Sequence, residues 1–107
     1  MSNPEQIRAT VEAYLRAVAS GDPDQVVALY AADGTLEDPV GSEVRAGHEA
    51  IGEFYGSLKG IATTTELREL RIAGNEATFL FTVTSEFGGQ AYVVSPIDHM
   101  TFDAEGR

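Results

Sequence analysis

The sequence contains no cysteine. Disulfide bonds, thiol nucleophiles and cysteine-based zinc sites are therefore excluded. Basic residues are also scarce: 7 Lys and Arg stand against 17 Asp and Glu, and the formal net charge at pH 7 is -10. Because such a chain repels phosphate groups and anionic lipids, its composition argues against nucleic-acid and membrane partners and favours a neutral ligand.

Long apolar runs are missing as well. No stretch approaches the ~20 apolar residues of a membrane span. The first six residues lack the basic start and apolar run of a signal peptide, so we expect a cytoplasmic protein. Its 107 residues, 43% hydrophobic and 22% charged, predict a single globular domain covering 1–107.

The first half of the chain carries helix signals. Asn3 and Pro4 are typical of an N-cap and a first helical position, and they predict a helix that ends at Ser20 and Gly21. A second start signal, Asp22-Pro23, predicts a helix reaching 32–34. A third helix is predicted over 48–59, from apolar residues at helical spacing: Ile51, Phe54, Tyr55 and Leu58.

The second half reads as antiparallel strands. Strands are predicted over 63–72, 77–87 and 92–102, with turns at 73–76 and at Gly88-Gly89. Shorter strands are predicted at 35–42 and 43–45. This order predicts an α+β fold in which three helices pack on a curved antiparallel or mixed sheet, forming a cone with a pocket. A returning strand after Glu105-Gly106 is missing, which would leave the edge at 97–102 unpaired.

Two aspartates lie on strand faces that are otherwise apolar. In a strand, alternate side chains share a face. Asp38 would therefore lie beside Leu36 and Val40. Asp98 would share its face with Tyr92, Val94, Pro96, Met100 and Phe102. Because an unpaired buried charge is costly, such a carboxyl should be neutral, paired or in a ligand cavity.

Plainer interpretations remain open for these residues. Asp38 before Pro39 could cap a turn, and Asp98 could pair with Arg45 or His99. The tyrosines could be simple core residues. We expect His48 to face solvent and His99 to be structural, and no His and carboxylate set has metal-site spacing.

Two motifs make the sequence similar to a known family. Glu-Asp-Pro-Val-Gly-Ser at 37–42 and Pro-Ile-Asp-His at 96–99, at this separation, resemble the bacterial ketosteroid isomerases, a family with the nuclear-transport-factor-2-like (SnoaL-like) fold. The resemblance covers essentially the whole chain. It implies a cone-shaped α+β barrel that forms a homodimer through its sheet, and a family strand beyond 107 that this sequence lacks.

The resemblance also implies a chemistry without a cofactor or metal. Asp38 would be the base that moves a proton within a hydrophobic, steroid-like β,γ-unsaturated ketone. Tyr14 and a protonated Asp98 would donate hydrogen bonds to the dienolate oxygen, and the hydroxyls of Tyr30 and Tyr55 would form a chain behind Tyr14. The apolar residues expected to border the substrate are Val40, Phe54, Leu58, Phe81, Val83 and Met100.

Two other functions compete with isomerisation. A fold relative could cyclise polyketides or open epoxides in the same pocket, although epoxide opening would need a basic partner beside the carboxylate. Alternatively, the domain could bind a small molecule or dimerise without any chemistry.

Overall fold

The structure is a computed structural model that describes residues 3–57 and 61–103. Three helices precede a run of antiparallel strands, which confirms the predicted α+β class. In chain order the elements are α1 (Pro4–Ser20), α2 (Pro23–Val27), β1 (Thr35–Leu36), β2 (Arg45–Ala46), α3 (Gly47–Gly56), β3 (Ala62–Ala73), β4 (Glu76–Phe87), β5 (Gln90–Val94) and β6 (Ile97–Thr101).

Helix α1 begins and ends where the sequence predicts. The Asn3 side chain accepts a hydrogen bond from the Gln6 backbone at 2.8 Å, so it caps the first turn. Gly21 ends the helix in the left-handed conformation, with φ of 73°. The buried side chains of α1 form the apolar stripe that packs on the sheet: Ile7, Val11, Tyr14, Leu15 and Ala17.

Helix α2 is shorter than predicted. The prediction that α2 reaches 32–34 is wrong, because the helix ends at Val27 and the chain turns away through 28–30. Helix α3 ends at Gly56. The predicted end of this helix at Lys59, and with it Leu58, lies outside the described residues.

Strands β3 and β4 form a long hairpin, as predicted. The turn at Gly74 and Asn75 joins Ala73 to Glu76, and the two strands pair antiparallel with one irregularity between Leu67 and Glu69. Gly88 and Gly89 have φ of 55° and 84°. Two positive φ values are what a two-residue hairpin loop between β4 and β5 requires.

The predicted strand over 92–102 is split in two. β5 and β6 both pair with β4 in one continuous register, and Pro96 lies at the break. Since proline has no N–H, the ladder is interrupted there, yet the Pro96 carbonyl still accepts from the Phe81 backbone at 3.2 Å.

The helices and the inner face of β4 enclose one core. Its largest fully buried side chains are Phe79, Ile7, Ile51, Val11 and Val26. The Thr65 hydroxyl on β3 donates to the Leu15 carbonyl of α1 at 2.9 Å, which fixes α1 across the sheet. Within the described ranges, no helix has the length and apolar character needed to cross a lipid bilayer.

Candidate active site

Three tyrosine hydroxyls meet between the helices. The Tyr55 hydroxyl of α3 lies 3.1 Å from the Tyr14 hydroxyl of α1 and 3.2 Å from the Tyr30 hydroxyl, which follows α2. Burial raises the pKa of each tyrosine well above its usual value of 10.0, and the charge of Asp98 adds to this. The hydrogen bonds that Tyr14 and Tyr55 make with their respective tyrosine neighbours Tyr55 and Tyr30 act in the opposite direction, but burial is the largest cause. All three hydroxyls therefore keep their protons near neutral pH and can donate.

Asp98 lies on the inner face of β6. The prediction that it shares a face with Met100 and Phe102 agrees with the structure, because Asp98 and Met100 are partly buried and Phe102 is 4% exposed. Tyr92 and Val94, predicted on the same face, are instead exposed at 51% and 58%.

Burial raises the pKa of the Asp98 carboxyl from its ordinary 3.8 to about 6. The charge of Asp38 raises it further, whereas a hydrogen bond with Tyr14 lowers it. The two candidate partners of Asp98 are engaged elsewhere: Arg45 lies over the Phe54 ring at 4.7 Å, and His99 contacts Glu76 at 3.0 Å. Among the residues that the structure describes, no ion pair to Asp98 is found.

Asp38 lies in a turn, and the prediction of a strand over 35–42 is wrong. Strand β1 stops at Leu36 and pairs with β2. The following turn is closed by the Gly41 N–H, which donates to the Glu37 carboxylate at 2.6 Å. Because the alternation of a strand does not apply to a turn, the side chain of Asp38 is exposed rather than held on an apolar face.

A cavity of about 780 Å³ brings Asp38, Tyr14, Tyr30 and Asp98 together. This volume lies in the range of typical small-molecule sites, roughly 300–1,000 Å³. Its mainly apolar wall also includes side chains that sequence reasoning did not assign to the ligand: Leu29, Leu36, Pro96, Ile97 and Phe102. Pro96 and Phe102 could have been assigned to the ligand site from the sequence, because alternate residues of a strand share a face and both lie an even number of residues from Asp98.

Only some of the residues predicted to contact the substrate line this cavity. Val40 and Met100 line the cavity, although Val40 is 92% exposed. Three others do not border it: Phe81 is buried against Phe79, Phe54 packs edge to face on Tyr55, and Val83 borders a second cavity of about 280 Å³. Leu58 lies outside the described residues.

The histidines and possible metal ligands are also placed by the structure. The prediction that His48 faces solvent is wrong, since its ring is half-buried and its Nε2 lies 2.9 Å from the Tyr30 carbonyl. His99 is exposed on the outer face of β6 and contacts Thr78 and Glu76. Over 3–57 and 61–103, no three His, Asp or Glu side chains cluster closely enough to hold a metal ion.

Fold and cavity together define a small α+β protein whose mainly apolar pocket holds Asp38 and Asp98 among its lining residues. The chain belongs to the SnoaL-like domain family, whose model matches residues 11–107. It is 52% identical over 102 residues to the Steroid Delta-isomerase of Nocardioides simplex, an alignment that covers 95% of this chain and 83% of that protein. The similarity to steroid isomerases predicted from the motifs is thereby confirmed.

Solved structures show the same fold. The epoxide hydrolase/cyclase-like enzyme SalBIII, from pyran ring formation in the polyether salinomycin, superposes with a TM-score of 0.88 at 26% identity, over 100% of this chain and 88% of that one. An LEH-like epoxide hydrolase of Mycobacterium tuberculosis superposes with a TM-score of 0.80 at 20% identity, over 96% and 77% of the two chains.

Proposed function

We propose that this protein is a steroid Δ-isomerase, converting β,γ-unsaturated 3-ketosteroids to their α,β-unsaturated isomers. The observation that carries the proposal is the single cavity onto which Asp38, Tyr14 and Asp98 all open. The identity of 52% to a steroid isomerase supports the same reaction.

Asp38 has the role of the base. Its carboxylate takes a proton from the carbon between the ketone and the alkene, and the electron pair of that C–H bond moves onto the ketone oxygen to give a dienolate. The protonated Asp38 then returns the same proton two carbons away, and the conjugated ketone forms.

Tyr14 and Asp98 stabilise the dienolate oxygen as hydrogen-bond donors. Positioned donors in a cavity that excludes water typically lower such a barrier by about 3–4 kcal/mol each. Asp98 can donate only when protonated, and its raised pKa of about 6 increases the share of that form near neutral pH. A steroid that displaces water from Asp98 should raise this pKa further.

Epoxide hydrolysis or polyketide cyclisation is the second candidate, favoured by the similarity to SalBIII. Opening an epoxide in the way expected from the sequence needs a basic partner beside the carboxylate. The described residues around the cavity include no Lys or Arg. The cavity therefore fits a neutral ketone better than it fits an epoxide with a cationic partner.

The test follows the conjugated enone by its ultraviolet absorbance. The wild-type protein should isomerise a β,γ-unsaturated 3-ketosteroid, and Asp38→Asn should lose turnover while still binding a steroid. Glu53→Gln is the matched control, because it makes the same carboxylate-to-amide change on an exposed part of α3. Equal turnover in Asp38→Asn and wild type would refute Asp38 as the base, and hydrolysis of an epoxide without enone formation would favour the second candidate.

A homodimer in the cytoplasm completes the proposal. Exposed apolar side chains on the outer face of β5 and β6 support a contact between copies at this side of the sheet, since exposed apolar surface often marks an interface. They are Val93 and Ile97, exposed at 61% and 69%. Sedimentation analysis of the wild type against Val93→Lys tests this: a dimer that the lysine dissociates supports the contact, and a monomeric wild type contradicts it.

A further inference from the structure

Helix α3 is fastened at its start to the segment that carries Tyr30. The His48 Nε2 lies 2.9 Å from the Tyr30 carbonyl oxygen. A carbonyl can only accept, so this nitrogen carries the proton and donates. One residue earlier, the Gly47 N–H donates to the Gly34 carbonyl at 2.9 Å. These two contacts, which we call the α3 clasp, bracket the segment 30–34.

The segment between the two contacts has little regular structure of its own. Helix α2 has already ended at Val27, and 28–34 consists of turns. Its chain also packs tightly on Tyr30, because a Cβ at Gly34 would lie 3.0 Å from the Ala31 carbonyl oxygen and 3.3 Å from the Tyr30 ring. The clasp adds contacts from α3 to these local contacts of Tyr30.

The same helix carries the hydroxyl that Tyr30 meets. His48 and Tyr55 are seven residues apart on α3, which is about two helical turns and places them on one face. One rigid element thus holds the Tyr30 backbone at one end and the Tyr55 hydroxyl at the other. The distance of 3.2 Å between the Tyr30 and Tyr55 hydroxyls is the result.

We propose that His48 is a positioning residue, which holds the Tyr30 hydroxyl against Tyr55 and through Tyr55 strengthens Tyr14 as a donor. The proposal deepens the isomerase function and rests on it. In a chain of hydrogen bonds each donor polarises the next. Tyr30 donating to Tyr55, and Tyr55 to Tyr14, leaves the Tyr14 proton free to bind the dienolate oxygen, which gains charge only during the reaction. His48 should therefore affect kcat rather than KM.

The test compares two substitutions of His48. His48→Leu removes the donor at similar volume, whereas His48→Gln places an amide N–H close to the position of Nε2. His48→Leu should lower kcat about threefold to tenfold, the size expected for one hydrogen bond, with KM within about twofold. His48→Gln should restore most of the loss. A wild-type kcat in His48→Leu, or an equal loss in both variants, would overturn the proposal.

A double mutant separates positioning from general structural support. In a Tyr30→Phe background the hydroxyl that His48 positions is gone, so adding His48→Leu should change kcat by less than about twofold. If the two losses multiply instead, His48 acts by another route and the proposal fails.

A spectroscopic measurement keeps this test independent of the proposed activity. In protein labelled with ¹³C at the tyrosine Cζ, His48→Leu should shift the Tyr30 and Tyr55 signals and leave that of Tyr92, which bonds to Gln90 on β5, unchanged. If the Tyr30 and Tyr55 signals do not shift, His48 does not position these hydroxyls and the proposal is refuted. A shift in a protein without isomerase activity would uphold the contact and reject the proposed function instead.

Discussion

Phe79 lies directly opposite Asp98 in the register of β4 and β6. Cross-strand partners project from the same face of a sheet, and the ring of Phe79 also meets the ring of Tyr14 edge to face, with centroids 6.2 Å apart. With an exposed fraction of 1%, Phe79 is fixed in the core. One buried ring thus contacts Tyr14 and lies opposite Asp98, between the two proposed donors.

Replacing Phe79 should therefore harm activity more than the loss of packing explains. Phe79→Leu should lower the free energy of unfolding by about 1–3 kcal/mol and reduce kcat by misaligning Tyr14 and Asp98. Phe81→Leu is the matched control, because Phe81 is also buried on β4 but is not the register partner of Asp98. Denaturant unfolding and the enone assay measure both effects. If Phe79→Leu and Phe81→Leu lose the same free energy of unfolding and the same kcat, the role given to Phe79 is contradicted.

Removing the Tyr14 hydroxyl tests the donor directly. Tyr14→Phe should lower kcat by about a hundredfold to a thousandfold, as for other oxyanion donors, with KM nearly unchanged. Tyr92→Phe removes an exposed hydroxyl outside the cavity and should keep wild-type kinetics. A Tyr14→Phe enzyme that loses affinity but keeps its kcat would show that Tyr14 only binds the substrate.

The raised pKa of Asp98 predicts how stability depends on pH. This pKa is 3.8 ordinarily and about 6 in the folded protein, so the folded state binds more protons than the unfolded state between these values. The contribution of Asp98 is thus fully present below about pH 4 and is lost as the pH rises through about 6, a change of at most about 2–3 kcal/mol.

Asp98→Asn removes this titration and supplies the reference. Unfolding by denaturant, measured for both proteins from about pH 4 to 8, should show the wild type losing stability relative to the variant as the pH rises and then levelling off. A stability difference that stays constant over the whole range would mean that the Asp98 pKa is the same in both states.

The same ionisation should appear in the kinetics. Because kcat/KM reports the free enzyme, it should fall as the pH rises above about 6, where Asp98 loses the proton it donates. In kcat, which reports the substrate complex, the fall should come at higher pH, because the steroid excludes water from Asp98. Asp98→Asn keeps an N–H donor that does not titrate, so both falls should vanish; their persistence would assign them to another group.

Local signals in the sequence predict much of the fold. The cap at Asn3 and the two glycines at 88–89 depend only on side-chain chemistry and backbone conformation within a few residues, so the ends of α1 and the β4–β5 hairpin follow from them. The end of α2 could not be predicted this way. Leu29 and Tyr30 continue its helical spacing, yet contacts with α3 draw the chain into a turn.

The candidate site shows a similar limit. The alternation of side chains along a strand correctly predicts which residues of β6 face inward, and thus that Asp98 is partly buried. The same alternation could not predict the position of Asp38, because Asp38 lies in a turn that the Glu37 carboxylate closes. The alternation of a strand shows which face a residue lies on, but it does not show which cavity that residue borders. Val83 lies on the inner face of β4, yet it borders the smaller cavity and not the one lined by Asp38 and Asp98.

The most direct test of the central claim is a crystal structure with a steroidal phenol, whose oxygen resembles that of the dienolate. This oxygen should lie within hydrogen-bond distance of both the Tyr14 hydroxyl and the Asp98 carboxyl, with the ring carbons beside Asp38. A phenol oxygen that contacts neither Tyr14 nor Asp98, or a steroid bound outside the cavity of about 780 Å³, would contradict it.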